Sequence, residues 1–138
     1  MQFGLSEEQV LLQDNVKRFL TDNVPLERVR KYSEDGSDAD IWQGLTELGI
    51  PALLIPEEQG GLGMTPMDAA IVAESLGYHV VPSPFLGSAI MAPVALSQSD
   101  NDYSELLGQI IEGKTRIGIA YGEAVGNRND ASVSFDNG

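Results

Sequence analysis

This 138-residue chain predicts a mainly α fold, a bundle of about five helices over residues 1–114 followed by the first strands of a β-domain over 115–138. Three observations carry that reading. Cap and stop signals bracket five segments of helical apolar spacing before Gly113. The hydrophobic period changes from helical to alternating at Thr115. A chain of this length can bury one core, or one small domain plus part of another.

The elements follow in order. Leu5-Ser6-Glu7-Glu8-Gln9-Val10 is a capping box in which the Ser6 hydroxyl can accept from the Gln9 amide, with Leu5 and Val10 at hydrophobic-staple positions. A first helix therefore starts at Glu7, carries Leu12, Val16, Phe19 and Leu20 on one stripe, and ends near Asn23 because of Pro25. Ser37 to Asp40 offers a second capping box, followed by Ile41, Leu45 and Leu48 and an αL stop at Gly49. Ile50 to Pro56 is apolar, but neither Pro51 nor Pro56 can donate to a sheet ladder, so it reads as buried extended chain. Next, Ile55-Pro-Glu-Glu-Gln-Gly-Gly-Leu-Gly-Met64 places three glycines within four residues, which calls for an unusual backbone path. Thr65 is the N-cap of a third helix, with Pro66 at its first position, Asp68 as the capping-box acid and Gly77 as the stop. Ser83-Pro84 opens a fourth helix through about Ser97, kinked where Pro93 removes a hydrogen bond. Asp102 to Glu105 caps a fifth, which carries Leu106, Leu107, Ile110 and Ile111 and stops at Gly113.

Beyond Thr115, Ile117, Ile119 and Tyr121 alternate with smaller residues, as Ala131, Val133 and Phe135 alternate with serines. Asn137-Gly138 is a hairpin signal that a partner strand normally follows. Two strands without a sheet are marginal in water, so the chain reads as the N-terminal part of something longer.

Composition narrows the function classes. A formal net charge of −13 opposes phosphate backbones and anionic membranes, so neither nucleic acid nor membrane is an expected partner. Arg28, Arg30 and Lys31 form the one basic cluster and read as a solvated helix end or loop. With no cysteine and one histidine, thiol chemistry is excluded and no metal site is expected. The N-terminus lacks signal- and transit-peptide character and no apolar run approaches about 20 residues, so a cytoplasmic location is the default expectation.

Gly108-Gln-Ile-Ile-Glu-Gly113-Lys114-Thr115 matches the phosphate-loop spelling, but its first half is helical in period and Gly113 closes an element instead of opening one. Gly60-Gly61-Leu62-Gly63 lacks dinucleotide-fingerprint spacing and a βαβ frame, so it reads as a tight turn. Glu74 shares a helical face with Met67, Ala70 and Ile71 and is expected to accept backbone amides near that loop. His79 has no triad partners in sequence and reads as polar surface. Phe85, Ser88, Ala89 and Ala92 share a largely small face of the fourth helix, which either a neighbouring helix or an apolar ligand can approach closely.

The ordered set Leu5-Ser-x-Glu-Gln9, Trp42…Leu48-Gly-Ile50, Pro56-Glu-Glu-x-Gly-Gly-x-Gly63, Glu74-x-x-Gly77 and Glu112-Gly-x-x-Arg116…Glu123 resembles the acyl-CoA dehydrogenase family over almost the whole chain. The resemblance implies an N-terminal helical domain, a β-domain and a C-terminal four-helix bundle, with FAD bound between the last two and between subunits. It implies α,β-dehydrogenation of an acyl-CoA thioester, an electron-transfer acceptor, and a homo-oligomer or heterotetramer. The fourth helix then corresponds to the wall of the acyl pocket, through Phe85, Ser88, Ala89 and Ala92, and Tyr121, Gly122 and Glu123 to the strand end beside the flavin. Gly122 stands where the family has a hydroxyl residue, and Gly126-Asn-Arg-Asn-Asp130 replaces its Gly-Ser-Asp stretch. The catalytic carboxylate belongs to the C-terminal bundle, so no catalytic residue is assigned here. Two readings follow: the N-terminal part of an FAD-dependent dehydrogenase, or a non-catalytic partner subunit or interaction module of a heteromeric one.

Overall fold

The computed structural model of the chain describes residues 4–36 and 39–120. Helix α1 (Glu7–Asn23) starts with both arms of the expected box: the Gln9 amide donates to Ser6 Oγ at 3.2 Å, and the Ser6 amide to Gln9 Oε1 at 3.1 Å. Val16 and Leu20 are fully buried, with Leu12 and Phe19 packed beside them.

The next helix, α2 (Leu26–Asp35), is absent from the sequence reading. Pro25 both ends α1 and serves as the N-cap of α2, while Gly36 closes it in the αL conformation at φ 71°. Only Val29 packs against the main core, which explains why no apolar stripe announced the helix. Its basic cluster is used locally: Arg28 pairs with Asp40 and donates to the Asn23 carbonyl at 2.9 Å. Helix α3 (Ala39–Glu47) buries Ile41, Trp42 and Leu45, and Gly49 follows at φ 78° as expected. The proposed cap Ser37 lies outside the described residues.

Between α3 and the next helix the chain is buried, as expected, but it is not extended. A 3-10 turn spans Ile50–Ala52, and the amides of Ala52, Leu53 and Ile55 each bond a carbonyl three residues back. The fixed φ of Pro51 suits such a turn as well as an extended strand. The glycine loop then folds back on it: Leu62, Gly63 and Met64 amides donate to Ala52, Ile55 and Leu53 carbonyls at 3.0, 2.8 and 2.9 Å. A Cβ on Gly61 would collide with the Ile55 carbonyl, so this glycine is required by close backbone approach.

Helix α4 (Pro66–Tyr78) begins as predicted, with the Thr65 amide and hydroxyl donating to Asp68 Oδ2 at 2.8 and 2.6 Å. Its end differs. The helix passes through Gly77, and Val80 is the αL residue at φ 52°. The Val80 amide donates to the Gly77 carbonyl and the Val81 amide to that of Leu76, both at 3.0 Å, which is a Schellman closure. This frame brings apolar Val81 onto the core, whereas a stop at Gly77 would put Tyr78 there, a residue that is 84% exposed.

α1 and α4 lie side by side and parallel, linked by Gln9 Nε2 donating to Asp68 Oδ1 at 3.1 Å and, at the other end, by Thr21 and His79 at 3.5 Å. A π-helical turn, Leu86–Met91, runs into α5 (Ala92–Ser97), and α6 (Ser104–Ile111) follows, its start held by the Ser104 amide on Asp102 Oδ1 at 2.9 Å. The main core joins α1, α3, α4 and the Phe85–Ala89 turn; a smaller one gathers Ile55, Leu107 and Ile110 with Leu96 and Ile117 beside them.

The predicted strand from Thr115 is not observed as far as residue 120. Half-buried Thr115, Ile117 and Ile119 do alternate with exposed neighbours, but a strand is defined by a ladder, and this segment lies against a helical turn instead. The second predicted strand and the hairpin signal lie outside the described residues. No described helix is long and apolar enough to cross a membrane.

Candidate functional site

Pro93 shapes the most distinctive local geometry. In a regular α-helix its ring would clash with the Ala89 carbonyl, and it offers no N–H. The helix ahead of it widens, so that the Ala92 amide donates to Gly87, five residues back. The expected kink is thus realised as a π turn, a feature found often at functional sites.

Against this turn lies the segment leading out of α6. Pro84, Leu86, Gly87 and Met91 on one side, and Arg116, Ile117, Gly118 and Ile119 on the other, enclose a cleft of about 340 Å³. Its walls are mainly aliphatic side chains and backbone. The four residues singled out on the fourth helix do share a face, and all four are buried: Phe85 and Ala89 in the main core, Ala92 and Ser88 beside them. None of the four lines the cleft; the residues of this turn that do, Leu86, Gly87 and Met91, are their neighbours in the chain. Nothing in the local pattern marked Leu86, Gly87, Met91 or Ile117, because their association spans about 30 positions of sequence. Tyr121, Gly122 and Glu123, the strand end expected beside a flavin, lie outside the described residues.

Ser88 is 0% exposed, and its hydroxyl is consumed internally: Oγ accepts from the Ile117 amide at 2.7 Å and donates to the Ile117 carbonyl at 3.2 Å. One side chain thereby satisfies both backbone groups of a residue that would otherwise seek a strand partner.

Two of the other cavities involve residues singled out above. One of about 430 Å³ lies between α3 and the turn after α6, lined by Trp42, Gln43, Thr46, Glu47, Glu112 and Lys114 among others. The buried Trp42 Nε1 has no hydrogen-bond partner, and Lys114 pairs with Glu112 at 2.5 Å. Gly113, at φ 68°, closes α6, so the phosphate-loop spelling has no phosphate-loop geometry. The other, about 340 Å³, lies between α1 and α4 and is lined by Lys17, Thr21, Glu74, Ser75, Tyr78 and His79.

Glu74 in that second cavity corrects the expectation that it serves the glycine loop. It is exposed on the side of α4 away from Val72 and Leu76, and the loop amides are already bonded to the 52–56 carbonyls. His79 is half-buried, with Nδ1 3.0 Å from the Ser75 carbonyl and its ring edge-on to Tyr78 at 5.1 Å. The carboxylates with lowered pKa sit at helix starts, away from the cleft. Burial of Asp68 would raise its pKa, but hydrogen bonds from Thr65 and Gln9 outweigh it. The Arg28 hydrogen bond lowers that of Asp40, and the Ser104 amide that of Asp102.

Residues 6–114 match the N-terminal domain of acyl-CoA dehydrogenases. The chain is 39% identical over 108 residues to acyl-CoA dehydrogenase IpdE2 of Mycolicibacterium smegmatis, across 76% of this chain and 35% of that protein. It is 36% identical over 110 residues to IpdE2 of Mycobacterium tuberculosis, across 78% and 34%. Among solved structures, the ChsE4-ChsE5 complex from Mycobacterium tuberculosis superposes with a TM-score of 0.71 at 25% identity, over 83% of this chain and 32% of that one. The Tcur3481-Tcur3483 steroid ACAD gives 0.71 at 27%, over 80% and 31%. The chain thus spans about a third of the length of the relatives it matches.

Proposed function

The chain belongs to the acyl-CoA dehydrogenase family, and on that premise we propose that it forms the N-terminal helical domain (1–114) and the start of the β-domain (115–138) of a cytoplasmic, FAD-dependent enzyme that dehydrogenates an acyl-CoA thioester between Cα and Cβ. One observation supports this reading above the others: the family module presents an aliphatic cleft between the π turn and residues 116–119. An acyl chain gains about 0.8 kcal/mol per methylene buried in such surroundings. Phe85, Ser88, Ala89 and Ala92, buried beside the lining residues, fix the cleft's shape, and Leu86, Met91, Ile117 and Ile119 meet the acyl group. The base that takes the α-proton is expected beyond these residues.

The described residues do not by themselves fit a flavin. The cleft is lined mainly by aliphatic carbon, with Arg116 its charged member, and the expected contacts Tyr121, Gly122 and Glu123 lie outside the described residues. FAD therefore rests on the family, and no catalytic step is drawn through it.

A second reading has its own support. The chain is similar to proteins solved as the ChsE4-ChsE5 complex, and Gly122 lacks the hydroxyl expected beside a flavin, as suits a non-catalytic partner subunit of a heteromeric enzyme. Purifying the protein in its natural assembly separates the two. Flavin absorption that bleaches on adding an acyl-CoA, and is lost on altering Tyr121–Glu123, supports the first; flavin held entirely by the partner, or a colourless assembly, defeats it.

A further inference from the structure

The geometry points to Gly87 and Ser88 as a latch that sets the width of the cleft, making them specificity-determining positioning residues that need not touch the acyl group. The inference rests on the acyl-CoA reading above. Two adjacent residues of the π turn grip the same partner, Ile117, in different ways. Ser88 holds its amide and carbonyl with one hydroxyl, at 2.7 and 3.2 Å. Gly87 lets the two backbones meet: a Cβ there would collide with the Ile117 carbonyl oxygen and come within 3.3 Å of its carbon and 3.5 Å of Gly118 Cα.

The wall carrying Ile117 and Ile119 therefore stands at a distance from Leu86 and Met91 that these contacts impose. Apolar packing alone sets such a distance loosely, whereas two hydrogen bonds and a direct backbone contact fix it. Ser88 has no proton to spare for a substrate: its one O–H is committed to the Ile117 carbonyl, its oxygen already accepts the Ile117 amide, and the residue is fully buried. Its contribution to the site runs through Ile117.

The test uses Ser88→Ala in the natural assembly, with Gly87→Ala as a second variant that forces the walls apart by a different route. Hydrogen exchange at the Ile117 amide reports the latch directly. Calorimetric binding of octanoyl-CoA and cyclohexylacetyl-CoA, which carry equal numbers of acyl carbons in a slim and a wide shape, reports the width. We expect Ile117 exchange to quicken by about fivefold in Ser88→Ala, the factor one net hydrogen bond supports. In both variants the affinity ratio should move at least about fivefold toward the wide thioester. Unchanged Ile117 exchange in Ser88→Ala overturns the latch. Faster exchange with an unmoved ratio overturns the width assignment while leaving the acyl-CoA reading intact. If the wild-type assembly binds neither thioester, that reading falls and this inference with it, whatever Ile117 does.

Discussion

Replacing Asp68 by alanine removes three hydrogen bonds in one step. Its carboxylate accepts from the Thr65 amide at 2.8 Å, the Thr65 hydroxyl at 2.6 Å and Gln9 Nε2 at 3.1 Å, and the residue is 6% exposed. Loss of a helix cap costs about 1 kcal/mol. Loss of a charge-assisted bond costs about 1.5–3 kcal/mol, and here that bond joins α1 to α4. Because the bonds share one carboxylate they do not add in full, and we expect a total of about 2–4 kcal/mol. For a unit of this size that lowers Tm by roughly 8–16 °C, read by circular dichroism. The pH dependence gives an independent check. Hydrogen bonds hold the folded carboxyl below its ordinary value, so its contribution is complete above the unfolded pKa and lost as pH falls through the folded one. The gap between wild type and variant should narrow as pH falls below about 5 and through the lowered folded pKa. A cost under about 0.5 kcal/mol at neutral pH, or a gap indifferent to acid, would refute the reasoning. Gln9→Ala combined with Asp68→Ala in a double-mutant cycle isolates the α1–α4 share.

Two substitutions probe backbone constraints by the same thermal assay. Val80→Asn keeps the αL turn with a residue that tolerates it, where a β-branched side chain that is 63% exposed is strained, and should stabilise by about 0.5–1 kcal/mol; a loss would contradict the strain. Gly61→Ala drives a methyl into the Ile55 carbonyl and should cost about 1–3 kcal/mol, so a neutral result would mean that the loop yields freely.

Legibility in the sequence followed the range of the interaction. Ser6-Gln9 and Thr65-Asp68 encode their helix starts within four residues, and both were readable. α2 was missed because Leu26–Asp35 contributes little apolar surface to the core and its start coincides with a proline read only as a terminator. The end of α4 was misplaced because the stop is chosen by where Val81 packs, a tertiary choice that overrode the glycine at 77. At the candidate site, the shared face of Phe85, Ser88, Ala89 and Ala92 was readable from periodicity. Its pairing with Ile117, 29 residues away, was not, since no local spacing encodes which distant backbone a serine will hold.

A π turn contains one residue more than the α turn it replaces. Residues 86–91 therefore hold one residue that a regular α-helix has no place for, and Pro93, whose ring would meet the Ala89 carbonyl at α pitch, keeps it there. Deleting that residue would press Pro93 against the preceding turn or bend the helix there, and either outcome disturbs the turn that holds Ile117, so the proline guards the chain length of this wall.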